Sequence, residues 1–134
     1  MQRCVSGVII NDEGKILVQK HNKVNAYTLP GGKCNDNEYD KITLIRELLE
    51  ELGILVHKYE KLFTHKFNDI EYPAGSGKYN DFEHTFYEVK KYKGEIINKE
   101  PLKHPELIWI NPNEIRSLGK LSVVMNRYLE YLGL

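Results

Sequence analysis

Gly32-Lys33-Cys34-Asn35-Asp36-Asn37-Glu38, then Tyr39 to Ile45, then Arg46-Glu47-Leu48-Leu49-Glu50-Glu51-Leu52-Gly53-Ile54, carry more structural information than any other part of the chain. Asp40 to Leu52 holds neither proline nor glycine, and its leucines, isoleucines and glutamates repeat at helical spacing, so a helix is expected there. Gly53 stands where a left-handed cap would end it. At about 100° per residue, Glu47, Glu50 and Glu51 share an arc of roughly 100°. Ile42, Ile45, Leu49 and Leu52 occupy the opposite arc and are expected to face the core. Like charges three and four residues apart repel by a few tenths of a kcal/mol on a helix surface. Either solvent and Arg46 relieve that repulsion, or the carboxylates hold a hard divalent cation, which favours oxygen ligands. Gly31-Gly32, just ahead, would let the backbone approach a ligand closely and supply carbonyl oxygen.

Outward from this segment the pattern is mostly strand. Val5–Ile10 and Lys15–Gln19 flank Asn11-Asp12-Glu13-Gly14 and read as a β-hairpin. Tyr27-Thr28-Leu29 reads as a short strand ended by Pro30-Gly31-Gly32. Phe82–Val89 and Leu107–Ile110 are further strands, whereas 68–80, with Pro73, Gly75 and Gly77, reads as a long loop. Leu121, Val124, Met125, Tyr128, Leu129 and Leu132 align on one face of a closing helix. Strands between two helices point to an α/β chain, a mixed sheet layered between helices. At 134 residues it reads as one domain, 1–134.

Composition narrows the function. Lys+Arg and Asp+Glu are 19 each, so formal net charge is zero, which argues against a nucleic-acid binder. The neutrality is uneven: residues 32–54 carry six acidic and three basic side chains. No apolar run approaches the ~20 residues that span a bilayer. The two cysteines, Cys4 and Cys34, lack a metal-binding spacing, and the start lacks the apolar stretch of a secretion signal. A cytoplasmic protein with no membrane partner is therefore expected. His21, His57, His65, His84 and His104 follow no ligand spacing and are expected on the surface or in loops, without a metal role.

Between Gly32 and Ile54 the chain resembles the Nudix box, G-x5-E-x7-R-E-U-x-E-E-x-G-U with U aliphatic. Gly32, Glu38, Arg46, Glu47, Leu48, Glu50, Glu51, Gly53 and Ile54 fill all nine fixed positions. Tyr27-Thr28-Leu29-Pro30-Gly31 is similar to the aromatic-x-Leu-Pro-Gly lead-in of that family. The resemblance implies a MutT-like Nudix hydrolase with an α/β/α sandwich and a Mg²⁺ or Mn²⁺ cofactor. It implies cleavage of a nucleoside diphosphate linked to another moiety. Glu50 and Glu51 would be the principal metal ligands, with the Gly31 carbonyl beside them. Glu47 would bind metal or act as base, Arg46 would orient Glu47, and Glu38 would tie the loop to the helix.

Family members often draw one more glutamate from a late loop. Glu100 is the best match, as a catalytic and metal-binding carboxylate, with Glu106 the competitor and Glu83 and Glu88 behind them. Lys20 and Lys33 are candidates for phosphate contacts. Asn37, where many members have glycine, and Thr43-Leu44, in place of small residues, depart from the common pattern outside its fixed positions.

The first expectation for the substrate is a nucleoside triphosphate, oxidised or not, cleaved to monophosphate and pyrophosphate. No counterpart of a base-reading asparagine stands near Leu118-Gly119-Lys120. A dinucleoside polyphosphate or nucleotide sugar is the alternative, Tyr72 lying near the spacing of a tyrosine in some such hydrolases. A non-catalytic nucleotide-binding module is less expected, because all four box glutamates are present. The resemblance leaves monomer and homodimer open.

Overall fold

The computed structural model describes residues 1–71 and 76–134. Among these residues seven strands and two α-helices follow in the order β1 (Gln2–Val8), β2 (Ile16–His21), β3 (Ala26–Thr28), β4 (Gly31–Lys33), α1 (Asp40–Leu52), β5 (Leu55–Glu71), β6 (Tyr79–Lys93), β7 (Glu106–Ile110) and α2 (Val123–Tyr131), with a 3₁₀ turn at Pro112–Ser117 before α2. They form a mixed four-stranded sheet, β4-β1-β6-β5, and an antiparallel three-stranded sheet, β3-β2-β7. β1 runs parallel to β6 and antiparallel to β4.

Side-chain alternation along the strands divides the apolar interior in two. Val5, Leu17, Tyr87 and Val89 point to one side and pack with Leu44, Leu48 and Leu52 of α1. Val8, Ile16, Val18 and Phe86 point to the other and pack with Met125, Tyr128 and Leu129 of α2. Sheets thus lie between a helix on each side, the expected α/β/α layering. No helix among the described residues is long and apolar enough to cross a membrane.

Local expectations fared unevenly. The first two strands pair as a hairpin only beside their turn, through the Ile10–Ile16 bridge and the backbone bonds from Asn11 to Lys15 and from Leu17 to Ile9; beyond it β1 and β2 diverge into different sheets. Gly31–Lys33 does not merely end a strand but is itself β4, paired with β1. The long loop shrinks, since β5 continues to Glu71 and β6 begins at Tyr79. Pro73 and Gly75 lie outside the described residues, as does Tyr72. β5 had no clear signature because its burial follows no two-residue alternation: four register irregularities interrupt its ladder with β6.

The core face of α1 also differs. Leu52 is buried and Ile45 packs against the core as expected, but Leu44 and Leu48 are buried with Thr43 and Glu51, while Ile42 and Leu49 are exposed. The sequence pattern places the apolar arc opposite the carboxylates, as if these had to face water. Instead the carboxylate arc overlaps the core-facing one, and Glu51 enters the interior.

Candidate metal centre

The site forms where β4 passes over α1. The strand can come so close only because its first two residues lack side chains. A β-carbon on Gly31 would stand 2.0 Å from the Val5 carbonyl oxygen of β1. One on Gly32 would stand 2.4 Å from the Glu47 carboxyl carbon. The Gly31 N–H donates to Glu51 Oε1 at 3.1 Å, so the lead-in and the helix are joined at the carboxylate itself.

Arg46 organises the outer half. Its Nε and Nη2 each donate at 2.9 Å to the two oxygens of Glu38, and Nη1 donates at 2.9 Å to Glu47. Nη2 also reaches the Lys33 carbonyl at 3.1 Å. The Thr43 hydroxyl and the Asn35 N–H complete the Glu38 cage. Arg46, Thr43 and Asn35 together hold the Glu38 carboxyl down to about 2. Asn37 is left-handed, with φ 63°, which explains why glycine is common there and asparagine acceptable. Thr43, the other departure, is buried on Glu38. Glu47 is half-buried, and burial pushes its carboxyl upward against the pull of Arg46. Glu50 is the exposed member, 3.5 Å from Arg46.

Glu51 forms the inner half. The residue is 1% exposed, and burial pushes its carboxyl up to about 8. Besides Gly31, it accepts from the Gln19 side-chain amide at 3.0 Å. Among the described residues the imidazole of His104 faces it, with Nε2 4.0 Å away. That imidazole is itself held neutral by burial, down to about 4, and accepts from the same Gln19 amide at 3.2 Å.

Glu100 and His104 arrive on the loop between β6 and β7, which is sewn to the end of α1. Ile97 and Lys99 donate backbone N–H groups to Leu52 and Glu51, carbonyls that the last helical turn leaves unpaired. The Asn98 amide donates to the His104 carbonyl, and the Asn22 amide to the Leu102 carbonyl. Donor atoms of Glu51, Glu100 and His104 consequently lie within 4.8 Å of one another. A divalent ion bound at about 2.1–2.4 Å places opposite donors roughly 4.2–4.8 Å apart, so these three are close enough to share one. A buried carboxylate facing a second carboxylate and a neutral imidazole is a donor set short of positive charge, which such an ion would supply.

Expected site residues separate accordingly. Glu51 and Glu100 meet; Glu47 and Arg46 stand beside them against Gly32; Glu50 lies at the exposed edge. Glu106 and Lys20 do not join: they pair with each other at 3.4 Å, and Glu106 also accepts from Tyr27. Lys20 lies on the strand face opposite Gln19, on the side of the α2 core, as period-two alternation requires. Glu88 is paired with Lys90 at 2.6 Å. Lys33 sits on β4 at the mouth of the site. The histidine expectation needs correction at His84, which is neither on the surface nor in a loop, while His104 is in a loop, as expected, but not exposed. His84 is buried on β6, 2.7 Å from the Ser6 hydroxyl, and His104 is buried beside Glu51. Gln19 and His104 were missed because neither has a fixed sequence distance to the box.

Next to this centre opens a cleft of about 810 Å³. Gly31, Gly32, Lys33, Ser6, Phe82 and residues 120–124 are among the residues that line it.

Comparison with known proteins identifies the family. The family model described as NUDIX domain matches residues 1–132. Nucleoside diphosphate-linked moiety X motif 6 of Xenopus laevis is 29% identical over 131 residues, 96% of this chain and 58% of that protein. A putative 8-oxo-dGTP diphosphatase of Bacillus subtilis is 29% identical over 108 residues, 81% of this chain and 65% of its own length. The chain thus spans less than two-thirds of either relative. The crystal structure of a MutT NUDIX hydrolase from Burkholderia pseudomallei superposes with a TM-score of 0.81 at 25% identity, covering 96% of this chain and 95% of that one. With the complete box folded around a glycine-walled carboxylate centre, and the family model spanning nearly every residue, the chain belongs to the NUDIX family.

Proposed function

We propose that the protein is a Mg²⁺- or Mn²⁺-dependent pyrophosphohydrolase of nucleoside diphosphate-linked substrates, with nucleoside triphosphates first among them. The observation that carries this reading is Glu51, a carboxylate 1% exposed that faces Glu100 and a neutral imidazole beside an open cleft. A chain with no use for a cation would gain by replacing such a group with an apolar one.

Glu51 and Glu100 would hold the ion, and Glu50 would add charge at the exposed edge; when bound, it would supply charge to neutralise phosphate oxygens and to acidify a water. Arg46 fixes one oxygen of Glu47, leaving the other to take the proton of the attacking water. Half-burial, by pushing the Glu47 carboxyl upward, makes it a better base than an exposed carboxylate. Gly31 and Gly32 leave backbone, not side chain, beside the phosphate chain. The adjoining cleft would take the nucleoside, and the products would be a nucleoside monophosphate and pyrophosphate.

The test is phosphate and pyrophosphate release with Mg²⁺ from wild type and Glu51→Gln. The substrate panel holds canonical and oxidised nucleoside triphosphates, diadenosine polyphosphates and ADP-sugars. Wild type is expected to exceed the variant by about 10²-fold or more on at least one substrate. Equal rates would remove the metal mechanism. No release from any of them would leave a nucleotide-binding module. ADP-sugars outranking triphosphates tenfold in kcat/KM would transfer the substrate assignment.

A further inference from the structure

We infer that His104 is a nitrogen ligand of the centre, so that the ion it prefers is Mn²⁺ rather than Mg²⁺. This rests on the metal site of the proposed hydrolase but concerns a residue that lies outside the box, 53 positions beyond Glu51 in the chain.

Three observations lead there. His104 is 3% exposed, and its Nε2 is the ring atom that faces Glu51, 4.0 Å from Oε2. Its donor atom lies with those of Glu51 and Glu100 inside a 4.8 Å group. Nε2 accepts from the Gln19 amide, so its lone pair, not a proton, is turned into the cluster. Gln19 donates to Glu51 at the same time, and can keep that bond when His104 exchanges its own for a metal bond. The loop is braced for this arrangement: His104 N–H donates to the Glu100 carbonyl at 2.8 Å, and the Asn98 amide caps the His104 carbonyl at 2.7 Å.

An all-oxygen set suits Mg²⁺, which dehydrates reluctantly and takes few protein ligands. One imidazole in the set favours transition ions, with Mn²⁺ at the weak end of that series and Co²⁺ above it. The other ring nearby is His21, edge-on to His104 with centroids 5.3 Å apart.

Nucleotide-free protein is titrated calorimetrically with Mg²⁺, Mn²⁺ and Co²⁺, and the Mn²⁺ form is examined by electron spin-echo modulation for ¹⁴N coupling. Wild type is expected to bind Mn²⁺ about tenfold or more tighter than Mg²⁺ and to give a ¹⁴N signal. His104→Gln is expected to lose that signal and narrow the preference at least fivefold, while His21→Gln keeps both. Wild-type Mn²⁺ without ¹⁴N coupling overturns the proposal, and needs no variant to fold. Loss of the signal in His21→Gln instead of His104→Gln also overturns it. Neither readout uses turnover. A nitrogen-ligated ion in a protein that cleaves no nucleotide keeps this inference and defeats the hydrolase reading; Mg²⁺-driven cleavage without nitrogen coupling does the reverse.

Discussion

The Glu47 carboxylate lies against Gly32 so closely that a β-carbon there would stand 2.4 Å from its carboxyl carbon. The helix and the strand it meets are therefore spaced by a missing side chain, and the carboxylate's position is set by that space together with Arg46.

Gly32→Ala and Gly31→Ala should separate activity from folding. At Gly32 the obstacle is the end of a flexible side chain, so Glu47 yields; turnover should fall at least about tenfold with Tm nearly unchanged. At Gly31 the obstacle is the Val5 carbonyl, 2.0 Å away in the paired strand, and backbone cannot yield. That variant should lose more than about 3 kcal/mol, or fail to fold. Thermal melts beside initial rates check both, and equal stability of the two variants would contradict the account.

Loop glutamates should be unequal. Glu100→Gln is expected to lower kcat at least about tenfold, because Glu100 shares the cluster with Glu51. Glu106→Gln should leave kcat within about twofold, and its partly exposed pair with Lys20 should be worth no more than about 1 kcal/mol. Steady-state kinetics on both decides; the reverse order would move the fourth carboxylate to β7.

Metal removal should expose an unusual alkaline weakness. The Glu51 carboxyl is raised in the folded protein from about 4.5 to about 8, so its stabilising contribution is complete below pH 4.5 and disappears as pH rises through 8. In EDTA, the Tm of wild type should fall between pH 5 and 9 relative to that of Glu51→Gln. Saturating Mn²⁺ should abolish the difference. Parallel pH curves for the two proteins in EDTA would show that Glu51 is not the source.

At the acid end the sign is opposite. The Glu38 carboxyl is lowered to about 2, so its contribution is present above pH 4.5 and is lost as pH falls toward 2. Glu38→Gln should therefore reduce stability at pH 7 and narrow its gap to wild type near pH 3. Urea unfolding at both values measures this, and a gap independent of pH would assign the loss to packing instead.

How much could be read in advance differs from element to element. α1 and its cap were legible because helix period, the lack of breakers and Gly53 are local features. β1 and β2 looked like a hairpin because two β-rich runs around a Gly-ended turn make one locally. Their divergence is decided by β4 and β6 on one side and by β3 and β7 on the other. The core face of α1 was misjudged for a related reason. A helical wheel assigns carboxylates to water, but Glu51 meets the Gln19 amide and the Gly31 N–H, which offset part of the cost of its burial.

The sequence by itself determined the family and the box, because nine residues at fixed spacing fall within one strand-turn-helix segment whose geometry is local. Only the tertiary structure decided which carboxylate is buried, which late glutamate joins it, and that Gln19 and His104 stand there too. Those groups come from β2 and from the loop after β6, and their meeting depends on strand alternation and on backbone bonds from Ile97 and Lys99 to the end of α1. Long-range pairing of this kind leaves no spacing in the chain to read.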